Sequence, residues 1–304
     1  KDFQALAARE NVFVGVYNPV TPAGLFKLNY RMHDKYVIVD DEMYLLGGRN
    51  SNDIFLGDYT TDINVDRDIL VWDITKGEGE SLQELEAYFW QIWNEDCVQI
   101  KGGRKKNSSD ISVSEEASDD SEGAESNSKN SNIVNGIPNV ENEITDETQE
   151  KLSKYEKQYQ SLEMRYASLK EKYTDIEDYS SWQEDTIPAN KITLVNNGTH
   201  AGPKTPLVLQ TICYLAQNAD NVTIQTPYVI CNGYMYDTLN EIASHAQLKI
   251  ILNAVEKGSN PWGCTDYLNQ KKKILNTGAD VYELMNEVPV HTKAVLLDDR
   301  LSIV

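Results

Sequence analysis

A short motif, His-x-Lys-x4-Asp, occurs twice in the chain, once near each end. The first copy consists of His33, Lys35 and Asp40, and the second of His291, Lys293 and Asp298. Since Lys and Asp each occupy roughly one position in twenty, a histidine meets both conditions by chance about once in 400 cases. Two of the four histidines meet them. We therefore interpret the motif as a repeat, and we predict two similar halves that face each other across one site.

The residue types within the motif indicate an anion-binding site. His and Lys stand two residues apart at the start of a predicted strand, so both side chains point to the same face. A lysine ammonium beside an imidazole would repel a metal ion, and we expect neither a metal nor a cofactor. Two facing copies would supply two lysines for a phosphate and two histidines on opposite sides of its phosphorus. One histidine would attack while the other protonates the leaving alcohol, which predicts a bell-shaped pH profile.

Apolar periodicity predicts α/β structure over residues 1–102 and 185–304, with mixed sheets flanked by helices. The predicted strands cover residues 12–17, 36–39, 44–46, 69–72, 192–195, 222–225, 248–252, 281–284 and 294–297. The predicted helices cover residues 2–9, 81–94, 205–217, 234–245 and 265–276. In the helix over 81–94, the spacing of the aromatic residues favours a core face over a lipid-facing patch.

Residues 103–150 differ from both flanks. Ser, Asn, Glu, Asp and Gly dominate and apolar residues are scarce, which predicts an acidic, disordered insert. Residues 107–150 hold twelve acidic residues and one Lys, so more than half of the net charge of −20 lies there. The rest of the chain is mildly acidic and lacks the basic surface that nucleic acid requires, so we expect no nucleic-acid partner.

Residues 151–184 predict one long helix with a narrow apolar seam. Its seam residues recur at alternating spacings of three and four: Leu152, Tyr155, Tyr159, Leu162, Tyr166, Leu169, Tyr173 and Ile176. This is a heptad pattern, and its many tyrosines make a weak zipper. We therefore expect the seam to pack on its own domain, with self-association through 152–176 as the alternative.

Further segments around the first motif point to a known superfamily. Residues 29–33 read Asn-Tyr-Arg-Met-His, and residues 47–50 read Gly-Gly-Arg-Asn. With its two motif copies, the chain resembles the phospholipase D superfamily, and within it the cardiolipin synthase C type. Asp68 ahead of a strand, residues 196–204 and Gln-Thr-Pro-Tyr at 225–228 extend the similarity. It covers about residues 1–102 and 185–304 and leaves the insert outside.

The resemblance implies a metal-independent, ping-pong reaction through a phosphohistidine. The implied catalytic residues are His33, Lys35, Asp40, His291, Lys293 and Asp298. The candidate substrate-binding residues are Asn50, Gly47, Gly48, His200 and Lys204. The nucleophile would be His33 and the acid His291, or the reverse. Both lysines and Asn50 would hold phosphate, both motif aspartates would hold local geometry, and the two glycines would let the backbone approach the phosphate. His200 and Lys204 would contact a headgroup or second phosphate; the alternative for His200 is a loop residue without a role.

The expected function is a phosphatidyltransferase that makes cardiolipin at a membrane surface. Phosphatidylethanolamine or phosphatidylglycerol would be the donor and phosphatidylglycerol the acceptor. The alternatives are phospholipase D hydrolysis to phosphatidic acid, a nuclease of the same superfamily, and a scaffold whose heptad helix binds a partner. The Gly-Ser-x-Asn segment expected after the second motif would follow Val304. We therefore expect a fragment trimmed at both ends, inactive or weakly active by itself, with its membrane anchor upstream.

Overall fold

Helices and strands alternate along the described chain, which makes the fold mixed α/β. The computed structural model describes residues 2–21, 29–57, 60–102, 133–134, 137–138, 146–178 and 180–304. Most of the segment predicted to be disordered, 103–150, lies outside these residues. None of the helices in the described ranges is long and apolar enough to cross a bilayer.

The elements are numbered in chain order. The helices are α1 (Asp2–Ala7), α2 (Asp53–Leu56), α3 (Glu80–Trp93), α4 (Asp146–Lys172), α5 (Ser180–Glu184), α6 (Leu207–Ala216), α7 (Gly233–Ala243) and α8 (Pro261–Leu275). The strands are β1 (Phe13–Tyr17), β2 (Tyr36–Val39), β3 (Met43–Gly47), β4 (Asp68–Trp72), β5 (Val98–Gly102), β6 (Ile133–Val134), β7 (Ile137–Pro138), β8 (Asn221–Gln225), β9 (Gln247–Asn253), β10 (Asp280–Leu284), β11 (Ala294–Leu297) and β12 (Leu301–Ile303). A short 3₁₀-helix, Val255–Lys257, lies between β9 and α8.

The chain divides into two compact units, and both motif copies lie in the second. The first unit comprises Lys1–Arg31, Phe89–Ile187 and Thr199–Gly202. The second comprises Met32–Tyr88, Pro188–Gly198 and Pro203–Val304. These bounds cut across the predicted segments 1–102 and 185–304, and the division into two such halves stays a prediction.

The long helix α4 packs within the first unit, against α1. The Arg9 guanidinium lies over the Tyr159 ring, 3.4 Å from its centroid, and pairs with Glu156 at 3.2 Å. Strands β1 and β5 form an antiparallel pair in the same unit. Helix α4 ends before Tyr173, and Tyr166 is exposed, so the heptad seam is not covered over its whole length. Self-association through this helix stays a prediction.

The smaller sheet of the second unit has the order β2-β3-β4 and is antiparallel throughout, whereas the sequence led us to expect a mixed sheet. A short turn joins β2 to β3, and a short turn permits only antiparallel pairing. Helix α3 covers this sheet: Leu82 and Leu85 are buried against Tyr44. The predicted amphipathic helix over 81–94 is thereby confirmed.

The larger sheet has the order β10-β9-β8-β11-β12 and is mixed. Strands β8, β9 and β10 are parallel, and β11 and β12 are antiparallel to their neighbours. Its apolar core includes Val222, Ile250, Tyr267 and Leu297. The carboxyl ends of the three parallel strands meet at one edge, where β11 begins, and the second motif enters the sheet there.

The predicted strand Ile192–Val195 is wrong, because residues 191–199 form no strand. Its apolar alternation reflects packing instead: Leu194 lies against the small core around Tyr44. Helix α8 begins at Pro261, four residues earlier than predicted. The Asn260 side chain caps it by accepting a hydrogen bond from the backbone N–H of Gly263 at 3.1 Å.

Candidate active site

Each motif copy forms a β-hairpin, and the two hairpins have the same register. In each hairpin, the residue that precedes the motif aspartate pairs with the residue that lies three positions after the aspartate. Asp40 has φ = 48° and Asp298 has φ = 49°, so both turns pass through the left-handed region at the same position. Asp is one of the few non-glycine residues that accept this conformation readily. The aspartate of the motif therefore specifies a turn as well as a charge.

Asp298 ties its hairpin to the start of β8. Its Oδ1 accepts hydrogen bonds from the backbone N–H groups of Asp220 and Asn221, both at 2.9 Å. Its Oδ2 pairs with Arg300 at 2.9 Å. The hydrogen bond from Asn221, followed by the Arg300 pair, lowers the pKa of Asp298. These contacts lie at the end of β11 opposite to the histidine, and Asp40 is exposed at the corresponding end of β2.

Backbone contacts bring the second motif next to the segment that leads into β4. The Val65 N–H donates to the Pro289 carbonyl at 2.9 Å, and the His291 N–H donates to the Val65 carbonyl at 2.6 Å. The buried Asn253 amide accepts from the Val290 N–H at 2.9 Å and donates to the Val290 carbonyl at 2.7 Å. The position of His291 therefore depends on residues from widely separated parts of the second unit.

His291 is held by a buried carboxylate. Its Nδ1 lies 2.7 Å from Asp66 Oδ2, and the Asp66 side chain is 0% exposed. The other carboxylate oxygen accepts the backbone N–H of Arg67 at 2.9 Å. The Phe55 ring meets the imidazole edge to face, with centroids 4.7 Å apart. A carboxylate at this distance favours the tautomer that carries the imidazole proton on Nδ1 and leaves Nε2 unprotonated.

Each motif lysine folds back onto its own histidine. Lys35 Nζ donates to the His33 carbonyl, and Lys293 Nζ donates to the His291 carbonyl at 2.7 Å. Lys293 Nζ also lies 2.6 Å from Nδ1 and 3.0 Å from Nε2 of the His291 ring. The repeat is therefore visible in the side-chain contacts as well as in the hairpins.

Charge interactions join the two motif copies. Partial burial lowers the pKa of His33, and the charges of Lys35, Lys293 and His291 lower it further, against Asp34. Burial also lowers the pKa of His291, and the charges of both motif lysines lower it further. The hydrogen bond from the His291 ring to the Asp66 carboxylate raises it. Each copy thus lies within electrostatic reach of the other.

Burial also affects the protonation of Lys293. Part of the Lys293 side chain is exposed. Withdrawal of its ammonium from water nevertheless lowers its pKa to about 8. The charge of Asp66 opposes this shift, and the charge of Lys35 adds a smaller lowering. Withdrawal from water likewise lowers the pKa of Lys35. A site in which burial and neighbouring cations lower the pKa values of His33, His291 and Lys293 favours an anion.

The glycines after the first motif make room for two carboxylates. A Cβ on Gly47 would lie 2.1 Å from Asp68 Oδ1, and one on Gly48 would lie 2.9 Å from both carboxylate oxygens of Asp66. Arg49 fixes this loop by donating to Asp68 Oδ2 at 2.6 Å and to the Asp66 carbonyl at 3.0 Å. Packing therefore accounts for these glycines, and their approach to a phosphate stays a prediction.

The remaining candidate residues are Asn50, His200 and Lys204. Asn50 is half-buried in the loop between β3 and α2. Lys204 is exposed in the second unit, whereas His200 is exposed in the first. Their predicted roles stay predictions. Asp66 is the residue that sequence reasoning missed, because its hydrogen bond joins positions 225 residues apart.

Comparison with known proteins identifies no relative. No protein-family model, curated protein or solved structure matches the chain. In the described part of the chain, no three His, Cys, Asp or Glu side chains are grouped as metal ligands would be. Functional inference therefore depends on the residues and their geometry.

Proposed function

We propose that this protein transfers phosphodiester groups through a phosphohistidine, at a site where two phospholipase D-like halves meet. The observation that carries the proposal is the convergence of both motif copies in one compact unit. There, His33 interacts electrostatically with Lys35, Lys293 and His291. The shared hairpin register and the matching φ angles of Asp40 and Asp298 support two related halves.

In the first step, the neutral imidazole of His33 attacks phosphorus and forms a P–N bond. The P–O bond to the leaving alcohol breaks, and its electron pair goes to oxygen. The imidazolium of His291 gives that oxygen its Nε2 proton, while Lys35 and Lys293 hold the non-bridging oxygens. Nucleophilic catalysis of this kind divides one difficult displacement into two easier ones.

In the second step, the acceptor alcohol gives its proton to the now neutral His291 and attacks phosphorus. The P–N bond breaks, and its electron pair returns to His33. The site regains its starting protonation, with no net change other than the exchange of one alcohol for another. With water as the acceptor, the same sequence would be hydrolysis.

The charge arrangement supports this division of roles. In the free protein, burial lowers the pKa of both His33 and His291. A phosphodiester anion between the lysines would raise both pKa values, because an opposite charge favours the imidazolium. The hydrogen bond that the His291 ring makes to the Asp66 carboxylate raises the pKa of His291. His291 therefore suits the acid, and His33 suits the nucleophile.

Phospholipids are the proposed substrates, and cardiolipin is the proposed product. The similarity of residues 29–33 and 47–50 to the cardiolipin synthase C type supports this class. Phosphatidylethanolamine or phosphatidylglycerol would donate the phosphatidyl group, and a hydroxyl of phosphatidylglycerol would accept it.

The test uses the full-length protein on mixed phosphatidylethanolamine and phosphatidylglycerol vesicles with EDTA present. Products are identified by mass spectrometry, and alkaline quenching preserves phosphohistidine for peptide mapping. We expect cardiolipin and a phosphate on His33, and we expect both to vanish in His33→Ala. His245→Gln is the matched control, because His245 bonds only to main-chain carbonyls on α6 and α7 among its described contacts.

Three other results would change the proposal. Phosphatidic acid as the only product would replace transfer by hydrolysis. A phosphate mapped to His291 would exchange the roles of the histidines. Full activity in His33→Ala would refute the phosphohistidine mechanism.

A further inference from the structure

An apolar cavity of about 430 Å³ lies beside the second motif. Helix α6 supplies Leu209 and Ile212 to its wall, and α7 supplies Leu239. The larger sheet supplies Ile224 and Val295. Lys293 also lines this cavity, and we call the whole the Lys293 cavity.

Strand geometry explains why an ammonium lies at the end of an apolar surface. Val295 pairs with Ile224, and Ile224 pairs with Ile250, so these side chains form a row on one face of the sheet. Residues two apart in a strand share a face. Lys293 therefore continues the row beyond Val295, at the edge of the sheet where the second motif lies.

We propose that the Lys293 cavity binds one hydrocarbon chain of a phospholipid whose phosphate is held by Lys293. This inference rests on the proposed function and names the part of the substrate that the cavity recognises. Its volume falls within the range of about 300–1,000 Å³ typical of small-molecule sites. Its lining, mostly aliphatic with a cation at one end, complements an amphiphile that joins an anionic phosphate to an apolar chain.

The cavity also distinguishes between classes of phosphodiester. A nucleic acid would place a sugar hydroxyl or a base beside aliphatic side chains such as Ile212 and Leu239. Burying such polar groups without hydrogen-bond partners is unfavourable. A fatty acyl chain has no such groups, and its burial is favourable in proportion to its length.

The first experiment uses the unmodified full-length protein and monomeric n-alkyl phosphates, from butyl to dodecyl, measured by calorimetry. We expect the Kd to fall about fourfold for each added methylene until the cavity is filled, because each buried methylene contributes a constant increment. A Kd that does not change with chain length would overturn the proposal.

The second experiment fills the cavity. Ile212→Trp places an indole in the cavity wall, and Leu215→Trp, on an exposed part of the same helix, is the matched control. We expect Ile212→Trp to bind butyl phosphate as the unmodified protein does and to lose the gain with chain length. The control should keep that gain. If both variants keep it, the chain binds elsewhere and the proposal is wrong.

Turnover of bis-p-nitrophenyl phosphate, a soluble diester without a hydrocarbon chain, separates this inference from the proposed function. If the protein turns over the diester but its Kd for alkyl phosphates does not change with chain length, the transferase proposal stands and the acyl-chain site is wrong. If the Kd for alkyl phosphates falls with chain length but no diester is turned over, the cavity binds amphiphiles and the transferase proposal is wrong.

Discussion

Asp66→Asn tests whether a buried carboxylate controls the tautomer of His291. The substitution keeps the size of the side chain and changes one acceptor oxygen into a donor. Asp66 Oδ1 accepts the Arg67 N–H at 2.9 Å, and Oδ2 lies 2.7 Å from His291 Nδ1. An asparagine would keep its carbonyl oxygen at Arg67 and turn its NH₂ group towards His291. To accept that hydrogen bond, the imidazole must carry its proton on Nε2, where the proposed proton transfers take place.

The magnitude follows from two effects. A hydrogen bond to a charged group contributes about 1.5–3 kcal/mol, and the Asp66 side chain is 0% exposed, so water does not replace it. The wrong histidine tautomer lowers kcat about 10⁴-fold in serine proteases. We expect a fall of about 10²–10⁴-fold, or roughly 3–5 kcal/mol of transition-state stabilisation. Since Asp66 raises the pKa of His291, its removal should also move the alkaline limb of the pH profile to lower pH.

Steady-state turnover of a phosphodiester across pH provides the kcat values, and ¹⁵N NMR of the imidazoles reports the tautomer. Asp62→Asn removes an exposed carboxylate from the same segment and should leave both observations unchanged. Circular dichroism and urea unfolding establish that the variants fold. A folded Asp66→Asn protein with the original kcat and an Nδ1-protonated His291 would refute the reasoning.

Three further predictions concern the groups that build the site. Gly47→Ala should lower the free energy of unfolding, measured in urea, by about 1–3 kcal/mol, because its Cβ would lie 2.7 Å from the Asp68 Cα. Gly233→Ala is the control and should show no such loss, because its Cβ would meet nothing within 4 Å. Asn253→Ala removes both hydrogen bonds to the backbone ahead of the second motif and should lower that free energy by about 1–3 kcal/mol, and an unchanged urea midpoint would contradict this. Acylation of Lys293, followed by peptide mass spectrometry, should show a midpoint at its pKa of about 8, which phosphate should raise; a midpoint near the ordinary 10.4 would contradict the lowered pKa.

Local pattern predicted most of the elements because their signals are local. The strands over 36–39 and 294–297 have the predicted bounds, since each is an apolar run that ends at an Asp able to take a positive φ. Residues 192–195 are also mostly apolar but form no strand, because a strand also requires a neighbouring strand that completes its backbone hydrogen bonds. Periodicity also placed the start of α8 too late; the capping Asn260 and Pro261 mark it.

The candidate site was predictable where it repeats and unpredictable where it does not. The motif copies could be found by comparing two segments of the sequence. Asp66 has no counterpart that spacing would reveal, and its role depends on the pairing of Val65 with Val290. The resemblance implied that Gly47 and Gly48 approach a phosphate, whereas their packing against the carboxylates of Asp68 and Asp66 could be found only from the structure.

The two histidines have the same motif and different surroundings, and the difference separates their proposed roles. The His291 side chain is 14% exposed, and its Nδ1 lies 2.7 Å from the Asp66 carboxylate. Partial burial lowers the pKa of His33, and the charges of three cationic or titrating neighbours lower it further, against Asp34. A carboxylate stabilises an imidazolium, whereas nearby cations favour a neutral ring with a free electron pair. One nucleophile and one acid can therefore arise from identical motifs, and the residue that makes them unequal lies outside the repeat. If Asp66 sets this inequality, its loss should affect the protonation of the leaving alcohol more than the attack on phosphorus. Diesters with good leaving groups should then be affected least.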